Sequence, residues 1–114
     1  MIGVFIEGPD DKGTYPIILS RLGIVATLRV LRGKGNLLDS DKVERHAKAL
    51  LASTRGLQKL VVSVDADCEE QETITRARRC EADLRSRLSI PCRYFVVHYE
   101  LESWLIQCPE TVAV

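Results

Sequence analysis

Two acidic groups in this chain have residue types and spacing suited to metal chemistry. Glu7 is followed by Gly8, with Asp10 and Asp11 just beyond, and Asp65 is separated from Asp67 by Ala66. Each group follows an apolar run, Ile2-Gly3-Val4-Phe5-Ile6 in one case and Leu60-Val61-Val62-Ser63-Val64 in the other. Carboxylates held together repel one another unless a cation neutralises them. Oxygen ligands of this kind suit Mg²⁺ or Mn²⁺ better than softer metals. In extended geometry Asp65 and Asp67 point to the same side, roughly 6–7 Å apart at Cα. Gly8 lets the backbone turn sharply and lets a phosphate come close. Acids also cap helices after strands, which is the plainer reading of Asp10 or Asp11 alone. The two groups taken together favour a shared metal site.

The elements that must position these acids alternate along the chain. Ile2–Ile6 reads as a strand buried on both faces. A helix is expected over Thr14–Leu22, with Pro16 near its start and Gly23 as its stop. Ile24–Leu31 is the second strand, and Gly33-Lys34-Gly35-Asn36 reads as a loop. Asp41 with Glu44 resembles a capping box opening a helix that runs through about Ser53. Leu60–Val64 is the third strand. A long helix is expected over Glu69–Leu88, with Glu69, Glu70 and Glu72 early and arginines late, an order that complements the helix dipole. Tyr94–Val97 is the fourth strand, and a short helix over Leu101–Gln107 precedes Pro109.

Strands separated by helices require crossover connections, and these build a parallel sheet with helices on both faces. The expected fold is therefore α/β, a Rossmann-like three-layer sandwich with a mainly parallel four-stranded sheet, formed by residues 1–114 as one domain. In such sheets the functional crevice lies at the carboxyl ends of the strands. Glu7 and Asp65 both leave the sheet at that edge.

Composition narrows the function classes. Of 114 residues, 46% are hydrophobic and 28% charged, the balance of a globular chain. No apolar run is long enough to span a bilayer, and no signal peptide is expected after Met1, so a cytoplasmic protein away from the membrane is anticipated. Sixteen basic and sixteen acidic side chains cancel, so a polyanion would be held by a local patch or through metal ions. Cys68, Cys80, Cys92 and Cys108 form no C-x-x-C pair, and His46 and His98 have no zinc-ligand spacing to them. Reduced thiols are expected.

An apolar strand ending Glu-Gly-x-x-Asp (Glu7, Gly8, Asp11), followed later by one ending Asp-x-Asp (Asp65, Asp67), resembles the Toprim domain. That domain occurs in DnaG-type primases, type IA and type II topoisomerases, OLD-family nucleases, RecR proteins and small stand-alone proteins. The resemblance covers most of the chain in element order and motif spacing. It implies that Glu7 serves as general acid or base, or as a metal ligand, in making or breaking phosphodiesters, and that Asp65 and Asp67 hold the metal. It also implies that Asp11 supports a second ion, as in the OLD-type variant. Glu100-Leu101-Glu102-Ser103-Trp104 resembles an element of small Toprim-like proteins, which makes Glu100 and Glu102 candidate late ligands, while Trp104 reads better as core. The expected partner is DNA or RNA, in a repair or defence setting. A homodimer is compatible with the sequence.

Other features weigh less. Lys34 could present its ammonium to a phosphate, although its glycine spacing is not that of a P-loop and an ordinary solvated loop is the plainer reading. The arginines from Arg76 to Arg93 could follow a nucleic-acid backbone, but the acids among them, including an expected Glu81–Arg85 pair, favour a solvated helix face. His98 reads as a core or edge histidine. A nuclease is the leading expectation, with a non-catalytic binding module second. A receiver-like phosphoacceptor comes third, because the first strand ends in Glu-Gly and no suitable lysine follows Phe95. A topoisomerase tyrosine domain and the nucleotide-binding regions of a primase have no counterpart here.

Overall fold

The first apolar run forms one of the two inner strands of the sheet. The computed structural model describes residues 1–8, 21–23, 25–66 and 70–97. Within these, β1 is Ile2–Ile6, β2 is Ala26–Val30, β3 is Lys59–Asp65 and β4 is Cys92–Val97. All pairings are parallel, in the order β2-β1-β3-β4. The protein is thus an α/β fold of Rossmann-like type, as its alternating pattern predicts. Val4, Phe5 and Ile6 are all buried, which explains why β1 lacks polar alternation.

Between β2 and β4 the described residues form three helices: α1 at Lys34–Leu37, α2 at Ser40–Ser53 and α3 at Glu70–Arg87. Val43, Ala47 and Leu50 recur at helical spacing on α2, and Thr73, Ala77, Cys80 and Leu84 on α3. These stripes share one core with Phe5, Leu60, Val62, Val64 and Tyr94, so α2 and α3 lie on the same face of the sheet. The opposite face carries Val4 and Ile6, which are also buried. The helices expected over Thr14–Leu22 and Leu101–Gln107 lie outside the described residues, apart from the Arg21–Leu22 end of the first.

Gly3 permits the close approach of α2 to the sheet. A Cβ at this position would stand 3.0 Å from Leu50 Cδ2 and 3.2 Å from both Leu57 Cδ1 and Leu60 Cδ1. Hydroxyls join the helices to the rest: Tyr94 donates to Leu37 O at 2.7 Å, and Ser40 Oγ donates to Asp83 Oδ2 at 2.8 Å.

Three local expectations are corrected. Gly33-Lys34-Gly35-Asn36 is not a loop, because a short helix begins at Lys34. Gly33, at φ 93°, turns the chain into it, and fully buried Leu37 anchors it. The cap of α2 is Asp39 rather than Asp41: its side chain accepts from the N–H groups of Asp41 and Lys42. Asp41 and Glu44 instead meet Arg87 across the helix pair, at 2.7 and 3.5 Å. Glu81 pairs with Arg78 at 3.1 Å rather than with Arg85, because Glu81 points inward and its carboxylate is claimed by β4. Among the described residues, no helix is long and apolar enough to cross a membrane.

Candidate functional site

The order of the strands decides where a ligand can enter. From β1 the chain goes to one side to make β2, then returns past β1 to make β3 on the other side. In a parallel sheet of this order the carboxyl ends of β1 and β3 are the topological switch point, where ligands of such folds bind. Glu7 and Gly8 leave β1 at this point, and Asp65 and Ala66 leave β3 beside it. The pairing of Phe5 with Val62, continued along the strands, brings Glu7 level with Val64 and Gly8 level with Asp65. Neighbouring strands lie about 4.8 Å apart.

Pleating assigns the side chains to faces. Asp65 alternates with Ser63 and Val61 on the face that carries Val4 and Ile6, opposite α2 and α3. Strict alternation would put Glu7 on the other face. The strand ends at Ile6, however, and the chain bends through Glu7 and Gly8, so the pleat no longer governs Glu7. Glu7 and Asp65 are both half-buried, and Glu7 Oε2 is fully enclosed.

Lys34 reaches the same edge from β2. Its Nζ donates to Ala66 O at 3.2 Å, which sets an ammonium against the backbone that joins Asp65 to Asp67. Thr73 Oγ1, on the first turns of α3, lies 3.4 Å from the same carbonyl. Ala66 and Thr73 are each 1% exposed, so this contact is sealed from water. Lys34 is thus part of the carboxyl edge rather than of a freely solvated loop, and it belongs with Glu7, Gly8 and Asp65.

The described donors fit a hard cation in kind, since both are carboxylates. Among the described residues no group of three or more His, Cys, Asp or Glu comes together to hold a metal ion. Asp67, Asp11 and Glu102, the remaining expected ligands, lie outside the described residues, as do Glu100, Trp104 and His98. Within the described residues, the expected set is therefore represented by Glu7 and Asp65.

Sequence reasoning did not single out Thr73, although a signal for it exists. The apolar positions Ala77, Cys80 and Leu84 extend backward at helical spacing to Thr73, which places its hydroxyl on the buried face, where it needs an acceptor. No protein-family model, curated protein or solved structure matches the chain.

Proposed function

We propose that this protein carries out metal-dependent phosphodiester chemistry on nucleic acid, as a small nuclease of Toprim-like type. The observation that carries the reading is the convergence of Glu7-Gly8 and Asp65-Ala66 on the β1/β3 switch point, with Lys34 Nζ reaching the same edge. In this reading Asp65 and Asp67 hold Mg²⁺ or Mn²⁺. Glu7 serves as ligand or as general acid or base, and Asp11 and Glu102 supply further carboxylates. A bound ion would polarise a phosphoryl oxygen and neutralise charge developing on it. Gly8 leaves room for a phosphate, having no atom of a described residue within 4 Å of where a Cβ would stand. Lys34 offers that phosphate a positive charge from the side of β2.

Residence in the cytoplasm accords with this reading, since Cys80 and Cys92 are free thiols. The zero net charge supports a second reading, a non-catalytic module that binds nucleic acid or a protein within a larger repair or defence complex. One experiment separates the two. Wild type and Asp65→Asn are incubated with labelled single- and double-stranded DNA and RNA in Mn²⁺, Mg²⁺ or EDTA. Metal-dependent cleavage that disappears in the variant supports the enzyme. Equal cleavage by both proteins points to a contaminant, and no cleavage by either leaves the binding module.

A further inference from the structure

A groove of about 370 Å³ opens at the end of the molecule opposite the acidic edge, where α3 runs out and the chain turns into β4. Its floor is apolar: Leu88 and Ile90 are half-buried against the main core, with Pro91 beside them. Arg85 and Arg93 line its rim, together with Ser89, and among the described residues no acidic side chain lines it.

The arginines of this region divide into two kinds. Arg78 is held by Glu81 and by the Tyr94 carbonyl, and Arg87 by Asp41 and Glu44. Arg85 and Arg93 are exposed and make no ion pair with any described residue. Two guanidinium groups without carboxylate partners among the described residues, set beside a fixed apolar floor, form a surface that is both cationic and water-repelling. The size falls within the range of small-ligand sites.

We propose that this groove binds a small organic anion with an apolar body, such as an aromatic phosphate or sulfonate. The body lies on Leu88, Ile90 and Pro91, and the charge is shared by Arg85 and Arg93, with the Ser89 hydroxyl as a further donor. Guanidinium suits this role because its planar fork donates two hydrogen bonds to one oxyanion. The carboxyl end of α3 repels negative charge, so the anion must be held at the guanidinium groups and away from the last helical carbonyls. Arg85 and Arg87 in that last turn offset the repulsion. Cys92, in the groove wall, has its thiol pushed up to about 12 by burial and stays neutral, so the groove binds its ligand without reacting with it. The acidic edge lies at the other end of the sheet, so occupancy here leaves that edge open.

The test is a titration of the full ¹⁵N-labelled chain with 2-naphthalenesulfonate, followed by amide resonances, beside the neutral 2-naphthol and the double variant R85Q/R93Q. Both arginines are exposed, so the variant should melt with the wild type. The expected result is a saturable shift centred on residues 88–93, weakened about tenfold or more in the variant and with naphthol. No shift, a shift spread over the protein, equal binding of naphthol, or unchanged binding by a folded variant would overturn the proposal.

Discussion

Glu81 Oε2 accepts the backbone N–H of Tyr94 at 2.8 Å, so a carboxylate from α3 covers the outer edge of β4. In this parallel pair Pro91 and Val97 turn their carbonyls to β3, and the alternate residues Cys92, Tyr94 and Val96 point their polar groups outward. Arg78 completes the cover by donating to Tyr94 O at 3.3 Å while pairing with Glu81. An open edge strand invites pairing with another chain, and this one is closed at its middle residue.

Replacing Glu81 by Ala should therefore destabilise the fold by about 2–3 kcal/mol, because a buried N–H loses its acceptor and the Arg78 guanidinium its carboxylate partner. The edge should also become sticky. Urea denaturation gives the first quantity and light scattering of the folded protein the second. A variant as stable and as monodisperse as the wild type would refute the clamp.

Gly3→Ala probes the packing of α2 on the sheet. Its added methyl must displace the ends of Leu50, Leu57 and Leu60. The expected cost is about 1–3 kcal/mol, with refolding otherwise normal. The double variant Gly3→Ala with Leu50→Val should recover part of that loss, and a purely additive double variant would count against a clash at this contact.

Stability should fall at alkaline pH for a reason that can be assigned. The Cys92 thiol is raised from 9.0 to about 12 by burial, with Glu81 and Cys80 adding to the effect. Below pH 9 it is protonated in both states and its contribution is complete. Above pH 9 the unfolded chain releases the proton while the folded one keeps it, so stability declines until about pH 12. The slope from this group approaches about 1.4 kcal/mol per pH unit. Tyr94 is raised in the same direction by burial, from 10.0, and adds a second decline starting higher. Cys92→Ala should flatten the curve between pH 9 and 10, as measured by urea midpoints across that range.

The sheet was legible because each strand is a short apolar run bounded by turn residues, and the parallel topology followed from the helices between them. Lys34 was harder to read, since two glycines around it resemble a loop. The contacts that make a helix there, Leu37 in the core and its carbonyl on Tyr94, join residues 57 positions apart. Asp39 and Asp41 are equally good caps by type, and Arg87, brought beside Asp41 only by folding, separates their roles. The edge position of Glu7 and Asp65 was readable from order alone. The face that Glu7 presents depends on the bend at Glu7–Gly8, which the alternation of the strand does not encode.

Tyr94 also connects the far strand to the candidate site, and this gives the last prediction. Its hydroxyl holds Leu37 O, the carboxyl end of the helical turn that Lys34 begins, and Lys34 Nζ in turn holds Ala66 O. Tyr94→Phe keeps the ring in the core and removes only the donor. The cost should be about 1–1.5 kcal/mol, because the buried Leu37 carbonyl loses its partner. The loss should be local: amide exchange should quicken at residues 36–38 and at Ala66, while β1 and the centre of β3 remain as protected as before. Exchange that rises evenly through the sheet would mean that Tyr94 supports the core in general. Exchange that rises only in α1 would break the proposed link through Lys34 to the backbone beside Asp65.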